Sequence, residues 1–406
     1  MVRSVLVSLV LAVAITPTCW AAKPHHKHVA AASTAAPAAS TPAVTAPLVA
    51  GMAIPGPPQV DARAYILADY QTGKVLAANN ATERMEPASL TKLMTAYIVF
   101  HELSVGKLKL EDMVTVSEHA WRSEGSRTFI ELGKPVSVND LILGMIVQSG
   151  NDATIALAER IAGTEDTFAQ LMNSTAKSLN MVGSHFENSS GLPSPQHYTT
   201  ARDMSLLAIA MIRDYPQYYK YYSVREFEHN GIKQQNRNGL LEKDPSVDGL
   251  KTGHTDSAGF CLVTSAHREG MRLVSVVLGS TSMKARENAS AALLSYGFTF
   301  YDTKLIVKGG TPLATTHVWK AASSSAELGV KDDLYMTLAR GQSDVKTTVE
   351  VQPKLIAPLG LDANVGTLHV FNGKEALATV ALHPLKPVAA GGWWRRLIDT
   401  IRLWFA

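Results

Sequence analysis

The feature that most restricts the fold is a change of hydrophobic period that happens twice between residues 60 and 300. Ala64-Tyr-Ile-Leu-Ala68 and Lys74-Val-Leu-Ala77 flank the turn Asp69-Tyr-Gln-Thr-Gly73, the pattern of two short strands in a hairpin. The period then becomes helical. After Pro87, the apolar residues Leu90, Leu93, Met94, Tyr97 and Ile98 recur at three- and four-residue steps. Leu141, Ile142, Met145 and Ile146 form one face of a second helix over 138–148, and a third helix is predicted over 152–161. Strand character returns over 260–264 and 272–278, joined by the polar turn His267-Arg-Glu-Gly270. Helices between strands at both ends predict an α/β sheet closed by the two ends of one domain, assigned to residues 60–300.

The flanking segments have different textures. Arg3 followed by an apolar run from Val5 to Ile15, too short to span a bilayer comfortably, reads as a secretory signal over 1–21, with an uncleaved anchor as the alternative. Residues 22–59 are Ala, Pro, Ser and Thr with few large apolar groups, a disordered linker. Its opening Lys23-Pro-His-His-Lys-His28 has no neighbouring carboxylates and reads as a solvated tail rather than a metal site. Residues 301–385 are short strand-like runs, such as 335–338, 347–351 and 367–371, broken by Gly, Pro and Asn, which predicts a small all-β domain. In 391–406, Trp394, Leu397, Ile398, Ile401, Trp404 and Phe405 share one helical face, opposite Arg395, Asp399 and Arg402. This helix is too short and charged to cross a bilayer but suits its surface; the alternative is a helix docked on the protein, disfavoured because Pro387 and Gly391-Gly392 look like a detaching hinge.

Composition narrows the function. A formal net charge of +3 over 406 residues, with no run interleaving basic and aromatic residues, excludes nucleic acid as an expected partner. Of the two cysteines, Cys19 leaves with the signal, so Cys261, in the apolar run 260–263, is read as a buried structural thiol. No cofactor or metal is expected.

The chemistry is read from Ser89 and Lys92. A serine hydroxyl is a poor nucleophile until a base takes its proton, and a lysine three residues on along a helix can do so once burial lowers its pKa. Spacing alone decides little, because Ser104/Lys107, Ser174/Lys177 and Ser343/Lys346 share it. Only Ser89 combines a helix start with apolar flanks. Two further motifs follow in order, Ser149-Gly-Asn151 and Lys251-Thr-Gly253.

With this ordered set the chain resembles the penicillin-recognising serine enzymes. Within them it is similar to the low-molecular-mass penicillin-binding proteins that are D-alanyl-D-alanine carboxypeptidases, over residues 60–385 and the tail. The resemblance implies an α/β catalytic domain of the β-lactamase/penicillin-binding-protein type (an antiparallel sheet with helices on both faces and a helical subdomain), then the β domain and an amphipathic C-terminal helix. Gly150, where β-lactamases usually carry Asp, favours the peptidases. The resemblance also implies roles. Ser89 attacks the carbonyl between two terminal D-alanines, Lys92 accepts its proton and Ser149 relays a proton to the leaving amine. Asn151 holds the substrate amide, Lys251 adds positive charge, and Thr252 and Arg286 bind the terminal carboxylate. Gly253 admits the substrate backbone, and the N–H groups of Ser89 and His254 form the oxyanion hole, leaving the His254 ring as pocket wall.

Glu187 and Asp203 are the carboxylates open to a deacylation role, but neither has a spacing that supports it, so loop or capping roles are expected. The expected substrate is a peptidoglycan stem peptide ending in D-Ala-D-Ala, with β-lactams as acylating inhibitors. The expected location is the periplasmic side of the cytoplasmic membrane, with residues 391–406 on the lipid surface. The rival readings are a β-lactamase, an endopeptidase acting on cross-links, and an inactive wall-binding scaffold.

Overall fold

The computed structural model describes residues 54–342 and 344–405. The signal segment, the His-rich run and the linker up to residue 53 lie outside them, as does Ser343. The hairpin predicted at the start is β1 (Ala64–Asp69) with β2 (Val75–Asn79), and α1 (Lys92–Ser104) follows. Next come α2 (Val138–Leu143), α3 (Asn151–Ala162), α4 (Glu165–Ser178) and α5 (Ala201–Asp214). The chain then enters β3 (Val247–Thr255), β4 (Gly259–Arg268) and β5 (Met271–Ser280), and α6 (Met283–Phe300) completes the domain. The five strands form one antiparallel sheet in the order β2-β1-β5-β4-β3. Ala64 lies opposite Leu278 and Asp69 opposite Leu273, so the two ends of the domain close on each other as the pattern predicts.

Both faces of this sheet are covered, so the central strands β1 and β5 carry buried apolar residues on both faces. Ala64 and Ile66 of β1, with Val274, Val276 and Leu278 of β5, face the helical side. Tyr65 and Leu67, with Leu273 and Val277, face α6 through Leu293 and Leu294. Residues one apart therefore belong to different cores, as a pleated strand requires. Residues 54–59, placed in the linker by composition, instead lie on the second core: Ile54 packs there and Tyr296 Oη donates to the Pro55 carbonyl at 2.9 Å.

Two local features depart from the sequence reading. The helix expected over 138–148 is α-helical only to Leu143 and continues as a wide π turn, Gly144–Gln148. Thr128 fills the space that Gly144 and Gly150 leave, since a Cβ would stand 2.4 Å from its Oγ1 at Gly144 and 2.0 Å at Gly150. The third helix, α3, begins at Asn151, one residue before its predicted start, and Gly150, its capping position, has no side chain to offer. The Asp152 carboxylate accepts the backbone N–H groups of Thr128, Phe129 and Ile130 and of Ala153, tying the 128–130 loop to the start of α3.

The second domain is all-β. Tyr301–Val307 pairs with Leu334–Ala339, and six strands form a second sheet around Leu328, Leu368, Val370 and Leu382. The two domains meet at the buried Asp69, whose carboxylate accepts from the Thr72 amide and hydroxyl at 2.8 Å and from Thr303 Oγ1 at 2.7 Å. Lys74 Nζ adds a bond to the Thr337 carbonyl at 2.9 Å. Removing an acceptor from this group strands buried donors, and bonds to a charged group contribute about 1.5–3 kcal/mol each. Asp69→Ala is expected to lower stability by at least ~2 kcal/mol, read as a fall in the urea midpoint, with the slope unchanged.

Candidate active site

Ser89 lies in a 3-10 turn, Ala88–Thr91, that leads directly into α1. The turn is pressed from two sides by glycines. A Cβ at Gly253 would lie 2.9 Å from the Pro87 carbonyl oxygen and 3.2 Å from the Leu90 nitrogen, so β3, the sheet's edge strand, can approach the nucleophile's backbone only with glycine there. On the other side Gly191, at φ +87°, abuts the Ala88 carbonyl, where a Cβ would stand only 1.8 Å away. Ala88 itself is held in the left-handed region at φ 46°.

Three positions in the sequence converge on the Lys92 amine. Its Nζ lies 3.0 Å from Ser89 Oγ, 2.7 Å from Asn151 Oδ1 and 2.6 Å from the Ser190 carbonyl oxygen. Burial, aided by the Arg237 guanidinium, pulls its pKa down to about 7, against the opposing pull of Asp152 and Glu165. A neutral amine has two N–H donors and one lone pair. Asn151 and Ser190 offer only acceptors and take the two donors, which leaves the lone pair to accept the Ser89 hydroxyl proton. Asn151 is in turn fixed by its Nδ2, which donates to the Glu124 carbonyl at 2.6 Å. Both ends of the Asn151 amide are thus engaged with protein groups.

Ser149, at the end of the π turn, sits at φ 65° with its Oγ buried and unpartnered among the described residues. It shares a cleft of about 400 Å³ with Ser89, Ser126, Arg237, Thr252, Gly253, His254, Phe260, Met283 and Arg286. Lys251, next to Thr252 in β3, is buried, its Nζ donating to the Thr252 carbonyl at 3.1 Å. Burial first, then Lys92, Arg237 and Arg286, hold its amine well below the usual lysine range. Arg286 Nη1 donates to the Gly253 carbonyl at 3.2 Å, and its Nε has no partner among the described residues. The His254 ring stacks on Phe260 at 4.0 Å between centroids and forms part of the wall.

Arg237 escaped the sequence reading. It lies in the irregular segment Asn236-Arg-Asn238 with no motif or period to mark it, yet its guanidinium reaches the cleft and burial lowers its pKa. The available signal was the pair of flanking asparagines, which lock this backbone: Asn236 Nδ2 donates to the Val224 carbonyl and Asn238 Nδ2 to that of Gly249. Glu187 and Asp203 hold loops. Glu187 accepts from Ser194 Oγ and the Gln196 amide, and Asp203 from the Gly183 amide and Ser184 Oγ. His197, buried and lowered to about 4 mainly by burial, joins Thr91 Oγ1 at 2.8 Å to the Glu187 amide. Cys261 is buried, and burial pushes its thiol up to about 11. The competing Ser-x-x-Lys pairs play no part: Ser104 and Lys107 are exposed, as are Ser174 and Lys177, and Lys346 pairs with Asp344 on the surface.

A serine hydroxyl 3.0 Å from a buried lysine amine, beside a cleft lined by two arginines, has the groups of a serine acyl-transferase. The D-alanyl-D-alanine carboxypeptidase family model, Peptidase S11, matches residues 52–282, and the model of the penicillin-binding protein 5 C-terminal domain matches 301–390; the chain belongs to this family. It is 43% identical to the D-alanyl-D-alanine carboxypeptidase DacA of Escherichia coli over 361 residues, covering 87% of this chain and 90% of that one. Penicillin-binding protein 5 of Haemophilus influenzae superposes with a TM-score of 0.79 at 40% identity, over 82% of this chain and 99% of that structure. Penicillin-binding protein 6B of Escherichia coli gives 0.69 at 36%, over 81% and 96%.

The amine must be unprotonated to accept a proton, so kcat/KM for acylation should be low below pH 6 and rise as pH passes through about 7, where Lys92 loses its proton. Stopped-flow acylation across pH 5–9 checks this. A rate independent of pH over that range would contradict it.

Proposed function

We propose that the chain is a serine-type D-alanyl-D-alanine carboxypeptidase that removes the terminal D-alanine of peptidoglycan stem peptides through an ester on Ser89. The observation that carries this reading is the Lys92 amine, buried and lowered to about 7, at 3.0 Å from the Ser89 hydroxyl inside this fold. Lys92 takes the Ser89 proton as Oγ bonds to the carbonyl carbon of the penultimate residue. The developing oxyanion meets the backbone N–H groups of Ser89 and His254, and fixed donors of this kind contribute about 2.7–4 kcal/mol each where they have been removed in other enzymes. Ser149, whose hydroxyl has no partner among the described residues, passes a proton to the leaving amine, with the buried Lys251 amine held nearby against the Thr252 carbonyl. D-alanine departs, and water cleaves the ester to regenerate Ser89.

Substrate choice follows from charge. Thr252 and Arg286 receive the terminal carboxylate, and Arg237 adds a second cation on the same cleft. A free terminal carboxylate is thereby matched by charge. Asn151 serves chiefly by orienting Lys92, since its Oδ1 and Nδ2 are both engaged. Penicillins acylate the same serine and inhibit the enzyme.

The location extends this reading. Residues 1–21 direct export, so the protein works on the periplasmic side of the cytoplasmic membrane. No helix among the described residues is long and apolar enough to cross a membrane. The C-terminal helix, Trp393–Leu403, exposes Trp393, Trp394, Leu397, Ile398 and Ile401, followed by Trp404 and Phe405. With Arg396 and Arg402 exposed beside them, this face suits the surface of an anionic bilayer.

Purified protein incubated with a pentapeptide ending in D-Ala-D-Ala should release free D-alanine, and Ser89→Ala should abolish that release and labelling by a fluorescent penicillin. D-alanine release that survives Ser89→Ala would refute the nucleophile. Arg286→Ala should raise KM for the pentapeptide at least tenfold, because its carboxylate loses a charged partner worth about 1.5–3 kcal/mol, and should leave an amidated peptide unaffected.

A further inference from the structure

The C-terminal helix is attached to the β domain by its polar edge. Asp399 is 5% exposed on a helix whose other residues are exposed or half-buried. Its carboxylate accepts the backbone N–H of Lys320 at 2.7 Å. Lys320 sits at φ 58° in the turn between the strands Ala314–Trp319 and Ser325–Gly329. One helical turn before Asp399, Arg395 donates to the carbonyl of Ala322 in the same turn at 3.1 Å. The strap leading into the helix is held there too. Gly391 donates to the Lys320 carbonyl at 2.8 Å, Ala322 to the Ala389 carbonyl at 2.9 Å, and Ala390 bridges to Ala321. A Cβ at Gly391 would stand 2.8 Å from the Ala321 oxygen, so this glycine is needed for close approach, and the hinge read from Gly391-Gly392 is not what the structure contains.

A helix that merely tethered the protein to anionic lipid would gain nothing from an aspartate among its arginines, because the charge is repelled by the surface and its burial is costly unless hydrogen-bonded. The docking leaves the Trp, Leu and Ile side chains facing away from the protein. We propose that Asp399 and Arg395 clamp the helix to residues 320–322, so that its outward apolar face sets the angle at which the protein stands on an anionic bilayer. Between that face and the active site, the β domain is itself hydrogen-bonded to the catalytic domain at Asp69, Lys74, Thr303 and Thr337. The clamp is a property of the protein in water; its consequence on lipid rests on the reading of the helix as the membrane anchor.

The two are tested separately in the protein from residue 22 onward, from which Cys19 has left with the signal. In lipid-free protein the Lys320 amide should exchange slowly with solvent. Asp399→Ala should speed that exchange by about tenfold or more, whereas Asp399→Asn, which keeps an acceptor oxygen, should change it little. Penicillin acylation of Ser89 should be the same in all three. For the lipid arm, a donor dye is placed at Val182→Cys, which is 81% exposed on the catalytic domain while Cys261 is buried, with acceptor lipid in phosphatidylglycerol–phosphatidylcholine vesicles. Wild type and Asp399→Asn should give one narrow distribution of dye-to-surface distance. Asp399→Ala should bind to the same extent with a broadened distribution. Equal Lys320 exchange in wild type and Asp399→Ala would overturn the clamp, and an unchanged narrow distribution would overturn its role on lipid. Vesicles that fail to bind the wild type would sink the anchor reading alone, the exchange result still deciding the clamp.

Discussion

The active site depends on one buried amine. A lysine taken wholly out of water loses the solvation that normally keeps it charged, and Lys92 at 1% exposure is lowered to about 7 as a result. Burial alone would yield a free base without direction. Direction comes from the two acceptors, Asn151 Oδ1 and the Ser190 carbonyl, which occupy both donors of the neutral amine and leave its lone pair for Ser89. The neighbouring cations matter in the same way. Arg237 disfavours a proton on Lys92, and Lys92, Arg237 and Arg286 disfavour one on Lys251, while the cleft lined by Arg237 and Arg286 is suited to the carboxylate the substrate brings.

Holding that amine requires segments far apart in the chain to meet within a few ångströms, and the fold supplies the meeting point in layers. The sheet brings β3 against the Ser89 turn, with Gly253 making room for the contact. Asp152 ties the 128–130 loop to α3, and the same stretch of chain carries Ser126 to the cleft and the Glu124 carbonyl to Asn151. The loop of Ser189 and Ser190 is fixed to α1 by Thr95 Oγ1, which donates to the Ser189 carbonyl at 2.6 Å, and to α4 by Glu165, which accepts the Ser189 amide at 2.9 Å. Each tether is a polar group at least partly buried and hydrogen-bonded, so losing one leaves its partner unpaired.

The sequence made the architecture legible where periodicity was long and unambiguous. The hairpin, α1, the returning strands and the amphipathic tail all follow from apolar spacing. Ser89 and Lys92 were legible because three residues on a helix share a face, and because Ser149 and Lys251 separate that pair from three others of equal spacing. What spacing does not contain is a tertiary partner. That Asn151 faces Lys92, that Arg237 reaches the cleft from an aperiodic segment, and that Ser190 contributes its carbonyl all arise from loops whose path is set by side chain to backbone bonds. The π turn before Ser149 was hidden for a related reason: its apolar residues satisfy the α-helical period, and only the packing of Thr128 against Gly144 and Gly150 distinguishes the wider turn. The tail shows the same division, since its faces are plain in the sequence whereas the attachment of Asp399 to a distant turn is not.

The most direct test of the central claim is the titration of Lys92 itself, by NMR of protein carrying labelled lysine side chains, with Lys92→Arg used to assign the signal. A proton lost near pH 7 in the free enzyme agrees with a buried neutral base poised against Ser89. A Lys92 that stays charged to pH 10 or above would contradict it.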